Sequence, residues 1–274
     1  MRISGVKGKY TRKMLAIAFV CIGWELASIL ARQGGPTVSS LVPSWGHILT
    51  KDFPGFASFK LGEISNDASS YWASIQVLLI NSLITIRRVI IGFFLGGITG
   101  ILMGLLIGLQ PTLRKMFYPV VKILRNVPLL ALIGLFLVWF GGKEEGIVIY
   151  IAFGLWIIFC TNTIEAIQNV NPIMINFART LGANNKTIST QVIMPMIVPN
   201  LVNATNIAFG VAWAVALGGE FLAASDGLGR LLIISQNYVQ TGRMLIILII
   251  FVILTELFSW INKKIGTKLT SWMP

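Results

Sequence analysis

Six stretches of this chain run nearly free of charge for about the length a helix needs to cross a bilayer core, roughly 20 residues. They are Met14 to Ala31, Val89 to Leu109, Pro119 to Phe140, Gly146 to Ile164, Met196 to Gly219 and Met244 to Trp260. Backbone N–H and C=O groups cannot be left unpaired in hydrocarbon, so each run is read as a helix. The third is interrupted: Lys122, Arg125, Asn126 and Pro128 come before its purely apolar part. Proline at 128 frees the carbonyl four residues back, so this run is expected to begin with a kinked or broken segment. Irregular backbone at that depth is tolerated where it lines a cavity, which makes Arg125, Asn126 and Pro128 candidate pathway residues; a kink at the interface is the plainer reading. In the second run, glycines 92, 96, 100, 104 and 108 recur every fourth residue and form a ridge on which another helix can pack closely.

Composition agrees with the pattern. With 55% apolar and 12% charged residues among 274, the chain does not suit a soluble surface, and an all-α membrane protein of six transmembrane helices is expected. The net charge of +12 is read as cytoplasmic loops rich in Lys and Arg rather than as nucleic-acid binding. With the N-terminus inside, the segments 1–13, about 110–125, about 165–193 and 261–274 hold five, four, two and three of the 22 basic residues. Asp52, Glu63, Asp67, Glu144, Glu145, Glu220 and Asp226 fall on the other side, so both termini are expected in the cytoplasm. The first run follows a basic segment, as a signal peptide would. It lacks a small-residue cleavage site and carries Trp24 and Glu25, so it is read as a retained helix. Residues 32–76, broken by several glycines and prolines, are expected to form an external loop with a short interfacial helix around Trp45 to Leu49. No second domain is visible, and 1–274 is read as one membrane domain. Cys21 and Cys160 lie in apolar runs and His47 stands alone, so no metal site is expected.

The stretch from Glu165 to Pro199 is the most informative. Asn171 and Pro172 make a good N-cap and first helical residue, and Gly182 can end that helix in the left-handed conformation. A second helix is expected from about Asn185 to Met194, where it meets Pro195. Helix, glycine turn and helix make a compact knob on the basic side.

At these residues the chain resembles a known family. Ala178-Arg179-Thr180-Leu181-Gly182-Ala183, followed nine residues after Gly182 by Val192-Ile193-Met194-Pro195, resembles the EAA signature of ABC importer permeases. Asn176 and Phe177 depart from the usual Glu and Ala, which removes any contact made by the acidic residue but leaves the helix-turn-helix. Leu41-Val42-Pro43-Ser44, Leu124-Arg125-Asn126-Val127-Pro128, Trp139-Phe140-Gly141, Asn162-Thr163, Ala212-Trp213, Gly219-Glu220 and Gly227-Leu228-Gly229 extend the resemblance over nearly the whole chain, toward the nitrate, sulfonate, taurine and bicarbonate branch.

The resemblance implies a type I (MetI-like) importer fold, with a core of about 77–262. It also implies a second permease subunit, most simply another copy, two ATP-binding-cassette ATPase subunits, an extracytoplasmic substrate-binding protein and a bacterial inner membrane. The loop of about 165–195 would couple to the ATPase through Asn176, Ala178, Arg179, Leu181, Gly182, Ala183 and Pro195. ATP and Mg would be bound by the partner, and the chain itself would be no enzyme and hold no cofactor; it has no GxxxxGK[ST] phosphate loop.

Arg87 and Arg88 precede the second run and could attract an anion or snorkel to lipid headgroups. With Asn162, Trp213 and Glu220 they complete the candidate pathway residues. Glu25 and Glu256 lie in apolar runs, where an ionised carboxylate costs roughly 2.5 to 3.5 kcal/mol, and are expected to face protein. The substrate class implied is a small anion, with a neutral or aromatic vitamin precursor as the alternative. A stand-alone channel or secondary carrier is the competing class, but a carrier would show two similar halves, and none is visible.

Overall fold

The computed structural model describes residues 3–62 and 70–269; Glu63 and Asp67 of the expected external loop, and the side chains up to Met14, lie outside that description. Its described regular structure is entirely helical. In chain order the helices are α1 (Ile3–Gln33), α2 (Pro36–Leu41) and α3 (Trp45–His47), the last running on into a wide turn over Ile48–Asp52 and a 3-10 segment over Pro54–Gly62. Then come α4 (Tyr71–Leu109), α5 (Pro111–Arg125), α6 (Leu129–Phe140), α7 (Glu144–Gln168), α8 (Pro172–Thr180), α9 (Asn185–Thr187), α10 (Met194–Ala223), α11 (Leu228–Asn237) and α12 (Thr241–Leu269).

Among the described residues four helical stretches are long and apolar enough to cross a membrane: Tyr71–Leu109, Glu144–Gln168, Asn185–Leu222 and Thr241–Lys268. The pair α5 and α6, bent by 99° at Asn126–Pro128, makes a fifth if counted as one span. The remaining expected run, Met14 to Ala31, lies within α1. The expected break in the third run is therefore a sharp one. The second helix starts well before its expected beginning at Val89, because no proline interrupts residues 71–109 and the polar residues Asn81, Thr85 and Arg88 share one face with the glycines that follow.

The chain divides into two compact units, residues 1–80 with 231–249, and residues 81–230 with 250–274. In the first, a short helix is present at Trp45, where one is expected. Its side chain donates to the Cys21 carbonyl (3.0 Å) and its backbone N–H to Glu25 (3.1 Å), so Glu25 faces protein as expected. Trp24 donates to the Pro43 carbonyl at 2.9 Å, which ties α1 to the same turn. Phe56 and Phe59 are buried beneath the guanidinium of Arg243, 5.8 and 4.9 Å from their ring centres.

In the second unit α7 is the central helix, buried over most of its length. The glycine ridge of α4 lies against it. A Cβ at Gly92 would meet Ile151, at Gly96 the Ala152 carbonyl, at Gly100 the Trp156 carbonyl (2.8 Å), at Gly104 Thr163 (2.6 Å) and at Gly108 Ile167. The ridge is thus a packing surface, and five glycines let two backbones approach where any side chain would hold them apart. Glu256 on α12, expected to face protein, is exposed on the described chain.

Candidate functional site

The knob forms as its sequence predicts. The Asn171 side chain accepts from the Ile173 N–H at 2.9 Å and opens α8. At its other end Gly182 has φ +82, its N–H donates to the Arg179 carbonyl (2.9 Å), and the Ala183 N–H donates back to the Ala178 carbonyl (3.0 Å). This pair of bonds around a left-handed glycine is the Schellman stop. Asn184 then caps α9 by accepting from the Thr187 N–H at 2.8 Å.

One expectation is corrected here: the second short helix does not end at Pro195. It passes through a π-helical turn over Ile188–Ile193 into α10, with Pro195 in the first turn of that helix. The wider turn gives the proline ring room, and a first-turn residue needs no N–H donor.

The knob has two faces. Ile175, Ala178 and Ala183 pack onto a core of Ala166, Ile167, Val170, Ile188, Ile193 and Ile197. The outer face carries Ile173, Met174, Phe177 and Leu181, which are 68%, 50%, 62% and 73% exposed, with Asn176 and Arg179 also exposed beside them. An apolar row held rigidly in the open by a well-packed base has the form of a docking surface.

A second polar centre lies within the same unit. Arg88 is 2% exposed and Glu220 0%, so Arg88 does not snorkel. Its guanidinium donates to Glu220 at 2.9 Å, to Glu144 at 2.6 and 3.1 Å, to the Asp226 carbonyl at 3.0 Å and to the Asp226 carboxylate. Glu220 also accepts from Thr85 Oγ1 and from the Gly229 N–H, both at 2.9 Å. The turn between α10 and α11 closes over it: Gly227 N–H donates to Asn81 (2.7 Å) and Leu228 N–H to Thr85 (3.0 Å). A Cβ at Gly227 or Gly229 would fall 2.6 Å from Glu220, so only glycine lets this backbone wrap the carboxylate. A buried charge is tolerable when paired and hydrogen-bonded, and here both partners are saturated. Arg87, one residue earlier on α4, has a side chain 60% exposed and among the described residues pairs only with Glu144.

The other candidate pathway residues are not gathered with these. Arg125 pairs with Glu165 at 3.1 Å on an exposed surface; Asn126 and Pro128 cap the two sides of the α5–α6 bend. Asn162 donates to the carbonyl four residues back on α7. Trp213 is buried against Phe251 and Phe258, and its indole N–H has no partner among the described residues. Sequence reasoning placed Arg88 and Glu220 among the candidates but missed Asn81, Thr85, Glu144 and Asp226 as their partners. One signal was available: Asn81, Thr85 and Arg88 stand at helical spacing on the face that Gly92 to Gly108 continue, which points Arg88 inward and Arg87 out.

Residues 96–271 match the model of a family described as binding-protein-dependent transport system inner membrane component. The chain is 29% identical over 189 residues to a putative aliphatic sulfonates transport permease of Bacillus subtilis, covering 69% of this chain and 68% of that one. It is 31% identical over 254 residues to a nitrate import permease of Synechococcus elongatus, covering 89% and 85%. In fold it is similar to a chain of the MetNI methionine ABC transporter in inward-facing conformations, with a TM-score of 0.61 and 21% identity over 72% of this chain and 97% of that one. A helical bundle with its glycine-packed central helix, a capped and exposed knob and a match over most of its length place this chain among the binding-protein-dependent transport system inner membrane components, the permease subunits of ABC importers.

Proposed function

We propose that the chain pairs with a second copy of itself in a bacterial inner membrane, with both termini in the cytoplasm, and carries a small anion of the sulfonate or nitrate type. An extracytoplasmic binding protein delivers the substrate, and two ATPase subunits bind ATP and Mg and do the hydrolysis, the permease itself being non-catalytic. The observation that carries the coupling is the exposed row Ile173, Met174, Phe177 and Leu181 on a knob whose opposite face is anchored in the core. An apolar row of this kind suits a groove on a partner, read as helix anchors. ATP-driven closure of the ATPase pair would push the knob and rock the permeases as packed bodies. Residues 165–195 are then the coupling loop, with Gly182 and the Asn184 cap keeping it stiff.

The anionic substrate is supported by the named relatives and not by Arg88, whose charge is committed to three carboxylates. Uptake of labelled sulfonate, nitrate and a neutral aromatic compound into proteoliposomes holding the complete transporter tests both parts. ATP-dependent uptake of an anion alone is the expected result. Preference for the neutral compound would overturn the substrate, and uptake without ATP would overturn the coupling.

A further inference from the structure

The first unit holds a cavity of about 380 Å³, lined among others by Ser28 and Arg32 of α1, His47 and Asp52 of the turn after α3, and Gln240 and Thr241 at the start of α12. That volume lies in the range of small-molecule sites. Three features set it apart from a packing gap. Ser28 is 1% exposed and puts a hydroxyl on the wall. Gln240 Oε1 is buried and has no partner among the described residues, although the Gln240 backbone is held by a 2.8 Å bond to the Ser235 carbonyl. Val239, which also lines the cavity, has φ +54, where a β-branched residue is strained, and that backbone delivers Gln240 to the wall. A buried polar group without a partner is costly, and Gln240 Oε1 on the wall of a cavity points to an occupant that completes it.

The charges say what the occupant carries. Asp52 accepts from His47 Nδ1 at 3.0 Å and is attracted to Arg243, so its charge is already met within the unit. Arg32 makes no ion pair among the described residues. The cavity therefore presents an exposed arginine without an ion partner among the described residues, a buried hydroxyl and a buried amide acceptor.

We propose that this cavity binds a small organic anion bearing a hydroxyl or amino group: Arg32 and Ser28 hold the oxyanion, and Gln240 Oε1 accepts from the ligand's own donor. A sulfonate and a carboxylate head share this chemistry. Its test reads binding without transport.

The permease with its ATPase subunits, in lipid nanodiscs free of binding protein, is titrated calorimetrically with 2-hydroxyethanesulfonate, glycolate, ethanesulfonate and ethylene glycol. Saturable binding of at least one of the two hydroxylated anions is expected, weaker binding of ethanesulfonate and none of ethylene glycol. Arg32→Gln is expected to raise Kd by roughly tenfold or more and Ser28→Ala by a few-fold, while Arg114→Gln leaves it unchanged. Melting temperatures of the variants show that each is folded. Absence of saturable binding by both hydroxylated anions at millimolar concentrations, or an Arg32→Gln variant that melts normally and binds as tightly as the parent, overturns the site. Anion uptake in proteoliposomes without binding here would sink this inference alone; binding here without anion uptake would sink only the substrate reading.

Discussion

The buried charge cluster and the exposed knob belong to one unit and invert each other. In the cluster, ionised groups are withdrawn into a bundle of otherwise apolar helices; on the knob, four large apolar side chains stand in the open. Each looks misplaced when only its own residues are considered. The cluster is stable because every charge finds its partner within the chain. The knob is tolerable because its base, not its outer face, supplies the packing. A satisfied site of this kind holds the fold together, whereas an unsatisfied surface waits for a partner. Substitutions should therefore damage stability at one and coupling at the other.

The largest effect is expected at the centre of the cluster. Arg88→Gln leaves Glu220 buried without its cation and should destabilise the protein by roughly 3–5 kcal/mol, seen as a large fall in melting temperature and in yield of folded transporter. Replacing both by well-packed apolar residues, Arg88→Met with Glu220→Leu, should recover much of that stability. A stable Arg88→Gln single variant would mean that the pair is not a structural lock. At the knob, Gly182→Val places a β-branched residue at φ +82, a strain of roughly 1–2 kcal/mol, with open space around the new side chain. Membrane insertion should survive while ATP hydrolysis uncouples from uptake, and Gly182→Asn, which tolerates that conformation, should stay near normal.

Smaller effects sharpen the contrast. Arg87→Gln, next to Arg88 but mostly exposed, removes a surface ion pair and should cost under about 1 kcal/mol, measured by the same melting experiment. An effect as large as that of Arg88 would show that the cluster extends to its rim. Phe177→Ser should change stability least, within about 0.5 kcal/mol, yet weaken co-purification of the ATPase subunits markedly. Unchanged assembly would remove the outer face of α8 from the docking surface.

Much of this was legible in the chain itself. Caps and stops act between residues a few positions apart, so Asn171, Gly182 and the two short helices could be placed from their neighbours. Hydropathy located the long helices, and the four-residue glycine period announced a close-packed face. The course of the chain through Pro195 was less legible, since a proline stops a helix by default and only the wide turn before it lets the helix continue.

What the sequence by itself determined is the class of the protein, its long apolar helices, the knob and its kinship. Those depend on local backbone chemistry and on the requirement that hydrocarbon meet apolar side chains. Only the tertiary structure decided that α7 is the helix the glycine ridge packs on, that Arg88 turns inward while Arg87 does not, and that Glu144, Glu220 and Asp226 converge on one guanidinium. Those carboxylates lie 56, 132 and 138 positions away along the chain. No local rule pairs residues so distant; helices brought side by side do, because a charge withdrawn from water must find its counter-charge wherever packing has placed it.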